Sequence, residues 1–211
     1  MAPSKPLEEV SRISDVNYDS EDLASVKKTL AGDSRAFEAL VKRHQSLVYN
    51  VLYRMVQDSE VARDLTQDAF IKAFRNLKQF DQKQYKTVKP WLMKIATNNA
   101  LDYLRQSKST VSLDQLLNDE PYLEPSSNKD ASVEAEHTIF VEKLNQALML
   151  LPLRYRQAFV LRYQFEFSYD EISTTMHENE NTVRTLLFRA KDRLRKLIFA
   201  KSGRADNVNG L

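Results

Sequence analysis

The residues from Ser168 to Phe199, SYDEISTTMHENENTVRTLLFRAKDRLRKLIF, most narrow what this chain can become. Ser168 with Glu171 three residues on forms a capping box, in which a hydroxyl and a carboxylate each satisfy one orphan N–H of a first helical turn. The pattern predicts a short helix over Tyr169 to Met176. His177-Glu178 breaks it, and Asn179 is a good N-cap for a second helix. Along that second helix Val183, Leu186, Leu187, Ala190, Leu194, Leu197 and Ile198 share one face at helical spacing. The opposite side presents Arg184, Thr185, Arg189, Lys191, Arg193, Arg195 and Lys196. A short helix, a tight turn and a longer basic helix have the form of a helix-turn-helix whose second helix enters the major groove of DNA. An ordinary α-hairpin with a solvated basic face has the same periodicity, so the remainder of the chain must decide between them.

Composition narrows the class. The 211 residues include three glycines and no cysteine, a balance that favours an all-α fold. Disulfides, thiol catalysis and thiolate metal sites are excluded. The first residues, MAPSKPLEEV, lack the apolar region of a secretory signal. No uncharged apolar run nears the ~20 residues of a membrane span. A cytoplasmic location is expected. Net charge is only +2, but it is unevenly distributed. Residues 1–24 carry net −4, residues 25–106 net +7, residues 107–133 net −3 and residues 134–199 net +1. Six of the ten basic groups in that last block fall between Arg184 and Lys196. Two blocks with positive faces, separated by an acidic segment, suit a phosphate-bearing partner.

In chain order, residues 1–24 read as an acidic extension without sustained period, expected to be disordered. Asp22 or Ser25 can cap a short helix that ends at Gly32. A helix follows from Ser34, with Phe37, Leu40, Val41, His44, Val48, Leu52 and Met55 on one side. Asp58-Ser59 interrupts it. The next helix has Val61, Ala62, Leu65, Ala69, Phe70, Ala73, Phe74 and Leu77 as its apolar stripe, and Arg63, Asp64, Gln67, Asp68, Lys72 and Arg75 opposite. Asp64 and Asp68 lie four apart on one face, but no histidine and no partner from another element joins them, so helix-surface acids offered to a basic partner outweigh a metal or acid–base pair. Phe80 to Lys89 reads as a loop in which Lys86 and Lys89 attract phosphate and Phe80 and Tyr85 can stack on unpaired bases. Pro90 fits the first position of a third helix. There Lys94 and Asn98 share one side, and Leu92, Ile95, Ala96, Asn99 and Tyr103 the other. Residues 107–133 form a polar linker. Helices resume from Glu134 and again after Pro152, with Phe159, Val160, Tyr163 and Phe165 as core, and residues 200–211 are a tail.

The run EVARDLTQDAFIKAFRNLKQF, the basic loop, and WLMKIATNNALDYLR resemble region 2 of bacterial sigma-70-family sigma factors of the extracytoplasmic-function class. The stretch ALMLLPLRYRQAFVLRYQFEFSYDEI and the helix-turn-helix resemble regions 4.1 and 4.2. The resemblance spans 25–106 and 134–199 and implies two small helical domains joined by a flexible linker. It implies a factor that binds core RNA polymerase and directs promoter-specific initiation, without bond chemistry, cofactor, metal or small-molecule substrate. Asp64, Gln67 and Asp68 match the surface that meets the β′ clamp helices, and the β flap is a second polymerase partner. Phe80, Tyr85, Lys86, Lys89, Lys94 and Asn98 match the part that captures a flipped base of the minus-10 element. Asn181, Thr182, Arg184, Thr185, Phe188 and Arg189 match the minus-35 reading face. An anti-sigma factor, often membrane-bound in the family, is a further implied partner. Asn181 stands where the family commonly has glycine, and Phe188 where histidine is frequent. A regulator that binds duplex operator and oligomerises through 25–106 is the rival, but it has no need of a basic aromatic loop beside a polar helix.

Overall fold

The computed structural model describes residues 19–109 and 133–199, and expectations for 1–18, 110–132 and 200–211 fall outside these residues. The described chain is helical and contains no strand. The elements are α1 (Asp19–Leu30), α2 (Arg35–Val56), α3 (Ser59–Arg75), α4 (Val88–Ser109), α5 (Val133–Leu150), α6 (Leu153–Phe159), α7 (Tyr169–Met176) and α8 (Glu180–Phe199). A 3-10 turn, Leu77–Gln79, follows α3, and α6 runs into a π-helical turn, Val160–Gln164.

Local chemistry sets most of the boundaries. Asp58 caps α3, its side chain accepting from the N–H groups of Glu60 at 2.9 Å and Val61 at 3.0 Å. Gly32, at φ 105°, lets the chain turn out of α1 into α2. Two expectations are corrected here. Residues 19–24 belong to α1 rather than to a disordered extension: Asp22 is buried, its carboxylate 2.7 Å from Arg43 Nε and 2.5 Å from His44 Nε2. The charge pattern of the segment hid this, because the compensating cations lie on α2. Helix α4 starts at Val88, so Pro90 sits within the first turn rather than at its first position. Proline is tolerated there because the N–H it lacks would have no intrahelical acceptor.

The first module, α1–α4, closes around Val48, Val51, Leu52 and Met55 of α2, Ala62, Ala69 and Ala73 of α3, and Met93, Ala96 and Ala100 of α4, all with essentially no exposed surface. Alanines at the α3 and α4 contacts let those helix backbones approach closely. In the second module, Ala147, Leu148 and Leu151 pack on Ala190 and Leu194 of α8. The two modules touch. Ala158, Val160, Leu161, Phe167, Ile172 and Val183 join the same apolar cluster as the first module. Gln157 Nε2 donates to Thr97 Oγ1 at 2.8 Å across the junction. Arg156, 1% exposed, donates to the Met55 carbonyl at 2.8 Å and also to the Met149 carbonyl. Burial pushes its guanidinium down to about 10, so it stays charged at neutral pH and its hydrogen bonds must offset the desolvation. Neither Phe167 nor Arg156 was expected as a core residue.

Candidate nucleic-acid interface

The helix-turn-helix forms as its caps dictate. Ser168 Oγ accepts from the Glu171 N–H at 3.1 Å while the Glu171 carboxylate accepts from the Ser168 N–H at 2.8 Å. Helix α7 spans Tyr169–Met176, as the spacing predicts. His177 ends it in the left-handed region at φ 55°, and Asn179 Oδ1 accepts from the Thr182 N–H at 2.8 Å to begin α8. Val183, Leu186, Leu187, Ala190 and Leu194 are buried, which rotates Asn181, Arg184, Thr185, Phe188 and Arg189 outward. Thr182 is half-buried, its hydroxyl 3.1 Å from Asn179 Oδ1. Phe188 is 74% exposed.

The loop and α4 are more mixed. Asn98 is exposed, and Lys94, one turn earlier on the same side, is half-buried. Lys94 Nζ donates to Tyr85 Oη at 3.0 Å. Phe80 is half-buried, its ring 6.2 Å from Tyr85 and 5.4 Å from Trp91. Tyr85 is only 4% exposed, and this corrects its assignment as a base-stacking surface: the ring is part of the core under the loop, held by Phe80 and Lys94. Lys86 is exposed and Lys89 half-buried, and both meet the second module, 3.2 Å from Asp170 and 3.1 Å from Glu171 of α7. Lys89 also lies 4.1 Å over the Phe167 ring. Such partly exposed pairs are worth about 0–1 kcal/mol each, little enough for phosphate to displace.

On α3, Asp64, Gln67 and Asp68 are exposed together. The same face continues one turn on into Ile71 and Phe74, 48% and 45% exposed, beside a shallow groove with Phe37, Val41, Phe70 and Arg75. Ile71 was not singled out in the sequence, and Phe74 was taken as core. The available signal was position: Ile71 and Arg75 fall seven and eleven residues after Asp64, on one helical stripe.

A helix-turn-helix with a basic second helix, and a polar helix face beside a lysine-bearing loop, have the form of an all-α, two-module DNA-binding factor. The family models of Sigma-70 region 2 and Sigma-70 region 4 match residues 40–110 and 142–194. The chain is 32% identical over 177 residues to the ECF RNA polymerase sigma factor SigW of Bacillus subtilis, covering 81% of this chain and 93% of that protein. It is 34% identical over 179 residues to the ECF RNA polymerase sigma-E factor of Escherichia coli K12, covering 81% and 91%. Among solved structures, CnrH in complex with the cytosolic domain of CnrY shares the fold, with TM-score 0.61 and 21% identity over 86% of this chain and 99% of that one. The sigma factor RpoE of Bartonella quintana, in complex with the anti-sigma factor NepR, has TM-score 0.55 and 20% identity, covering 80% and 98%. The chain belongs to the extracytoplasmic-function sigma factors of the sigma-70 family. It is therefore a transcription initiation factor, not an enzyme, and it acts with core RNA polymerase on promoter DNA.

Proposed function

We propose that α3 supplies the polymerase-binding face, that the Phe80–Lys89 loop with the Lys94–Asn98 side of α4 captures the unpaired minus-10 strand, and that α8 reads the minus-35 element. The observation that carries this is the division of α8: its aliphatic residues are buried, while Arg184, Thr185, Phe188 and Arg189 face solvent together. An exposed phenylalanine on a basic recognition helix suits a thymine methyl, and the arginines suit guanine edges or phosphate. At the minus-10 element the loop's lysines meet phosphate, and Phe80, Lys94 and Asn98 hold the flipped base. Extrusion costs a few kcal/mol, which stacking and hydrogen bonding offset. On α3, Asp64, Gln67 and Asp68 set electrostatic register with a basic partner, the β′ clamp helices, while Ile71 and Phe74 add apolar burial at the end of the same face. The second module meets the β flap. The factor works in the cytoplasm; no helix among the described residues is long and apolar enough to cross a membrane. The resemblance to sigma factors solved with anti-sigma partners supports a similar antagonist here, one that covers the DNA-reading faces.

Reconstitution with core polymerase tests the scheme. The wild-type chain is expected to co-elute with core enzyme and to support run-off transcription. Asp64→Lys with Asp68→Lys is expected to weaken co-elution while leaving the α8 surface intact. Undiminished co-elution of that double variant would sink the assignment of α3.

A further inference from the structure

Arg184 does not leave the recognition helix unsupported. Its guanidinium carbon lies 4.5 Å from the centroid of the Tyr169 ring, and the same ring has the Arg162 guanidinium at 4.9 Å. Tyr169 is the first residue of α7, directly after the capping box at Ser168, and its half-buried ring packs against the apolar core. Arg162 is fixed in turn, Nη1 donating to the Phe167 carbonyl at 2.8 Å. The ring is therefore a platform held by the core and by Arg162, beside an arginine side chain that is 57% exposed. The other contact of Arg184, with Glu180 at 3.4 Å, is an exposed ion pair four residues back on the same helix and constrains it weakly. A guanidinium can stack on an aromatic face without using its N–H donors, so those donors stay available for a base edge. Holding a long side chain in place before binding removes part of the ordering cost that binding otherwise incurs.

We propose that Tyr169 is a positioning residue for minus-35 recognition: its ring orients Arg184 toward the base edge that Arg184 reads. The proposal rests on the assignment of Arg184 to the minus-35 element. Tyr163 provides a contrast within the same module. Its ring lies 4.6 Å from Lys191 Nζ, farther along α8 than the N-terminal turns from which recognition helices contact bases. Tyr163 thus bears on a phosphate-type contact and not on sequence preference.

The test uses holoenzyme, reconstituted from the full chain and core polymerase, on a promoter library randomised at the minus-35 element. The variants are Arg184→Ala, Tyr169→Leu, Tyr169→Phe, Tyr163→Leu and the Tyr169→Leu/Arg184→Ala double. Tyr169→Leu is expected to reduce preference about two- to fivefold, the range of an exposed cation–π contact, at the same base position that Arg184→Ala flattens. Tyr169→Phe keeps the ring and is expected to retain the preference, and the double is expected to select like Arg184→Ala alone. Tyr163→Leu is expected to lower binding across all sequences alike. Preference unchanged in Tyr169→Leu but lost in Arg184→Ala overturns the positioning role. So does a loss spread evenly over all positions, or a Tyr169→Phe variant as impaired as Tyr169→Leu. Preference retained in Arg184→Ala overturns the assignment of Arg184 itself, a distinct result because it appears without any change at Tyr169.

Discussion

Asn98 and Asn99 stand side by side in α4 and do opposite things. Asn99 is buried and its Oδ1 accepts from Lys72 Nζ of α3 at 2.7 Å, while Asn98 faces solvent. Helical periodicity separates them in the sequence, placing Asn99 with Leu92 and Ile95 and Asn98 with Lys94. Asn98→Ala is therefore expected to impair promoter melting more than minus-35 binding, with less permanganate reactivity at the minus-10 thymines; equal reactivity would refute its role. Arg156 was not legible in the same way. Arginine is rarely buried in full, and its burial is made tolerable by carbonyls that only the fold brings to it, those of Met149 and of Met55, the latter 101 residues away. Nor was Tyr85, since the partners that draw it inward, Phe80 and Lys94, meet it only after the loop folds back on α4. Arg156→Met keeps volume but leaves buried carbonyls without a donor. It is expected to cost about 1–3 kcal/mol in denaturant unfolding.

Elements whose boundaries are written in local chemistry were readable, and α7 is the best case. A capping box at one end and a polar break at the other fix Tyr169–Met176 without help from the rest of the fold. The π-helical turn at Val160–Gln164 had no such mark; Phe167, drawn to 0% exposure, takes up the core position below it, and its N–H reaches the Leu161 carbonyl at 3.0 Å. Helix α1 was half read for the same reason: its end at Gly32 is local, but its start depends on Asp22 meeting Arg43 and His44. Two substitutions probe the turn with opposite signs. His177 is exposed and left-handed, a conformation that costs a residue with a Cβ about 1–2 kcal/mol. His177→Gly is expected to raise the thermal midpoint by roughly 2–4 °C, as about 1 kcal/mol does in a chain of this size. Ser168→Ala removes the cap and is expected to lower it by a similar amount, about 1 kcal/mol. A fall with His177→Gly would mean that the imidazole carries a stabilising contact.

The arrangement of the whole molecule conflicts with the span of a promoter, and the conflict sets the last prediction. Elements centred near minus-10 and minus-35 lie about 25 base pairs apart, roughly 85 Å at 3.4 Å per step. A compact globule of this length is only about 40 Å across. The touching modules cannot reach both elements at once, and while they touch, Asp170 and Glu171 of α7 engage Lys86 and Lys89 of the Phe80–Lys89 loop. The chain between Ser109 and Val133 extends to at most about 80 Å, which together with the modules' own width covers the distance. Separation also has a definable cost: it breaks the Gln157–Thr97 and Arg156–Met55 hydrogen bonds and exposes Phe167, Val160 and Leu161. Contacts with polymerase and DNA must supply more than that. The sequence contains no cysteine, so two introduced thiols report without interference. With donor and acceptor dyes at Lys78→Cys and Asp192→Cys, both exposed and in different modules, energy transfer is expected to be high in the free chain. It is expected to fall on adding core polymerase, and to stay low on a promoter. Gln157→Leu removes the hydrogen bond to Thr97 across the junction and is expected to lower transfer in the free chain. Transfer that remains high in a transcribing complex would show that the modules stay joined and that the two promoter elements are brought together by bending of the DNA instead.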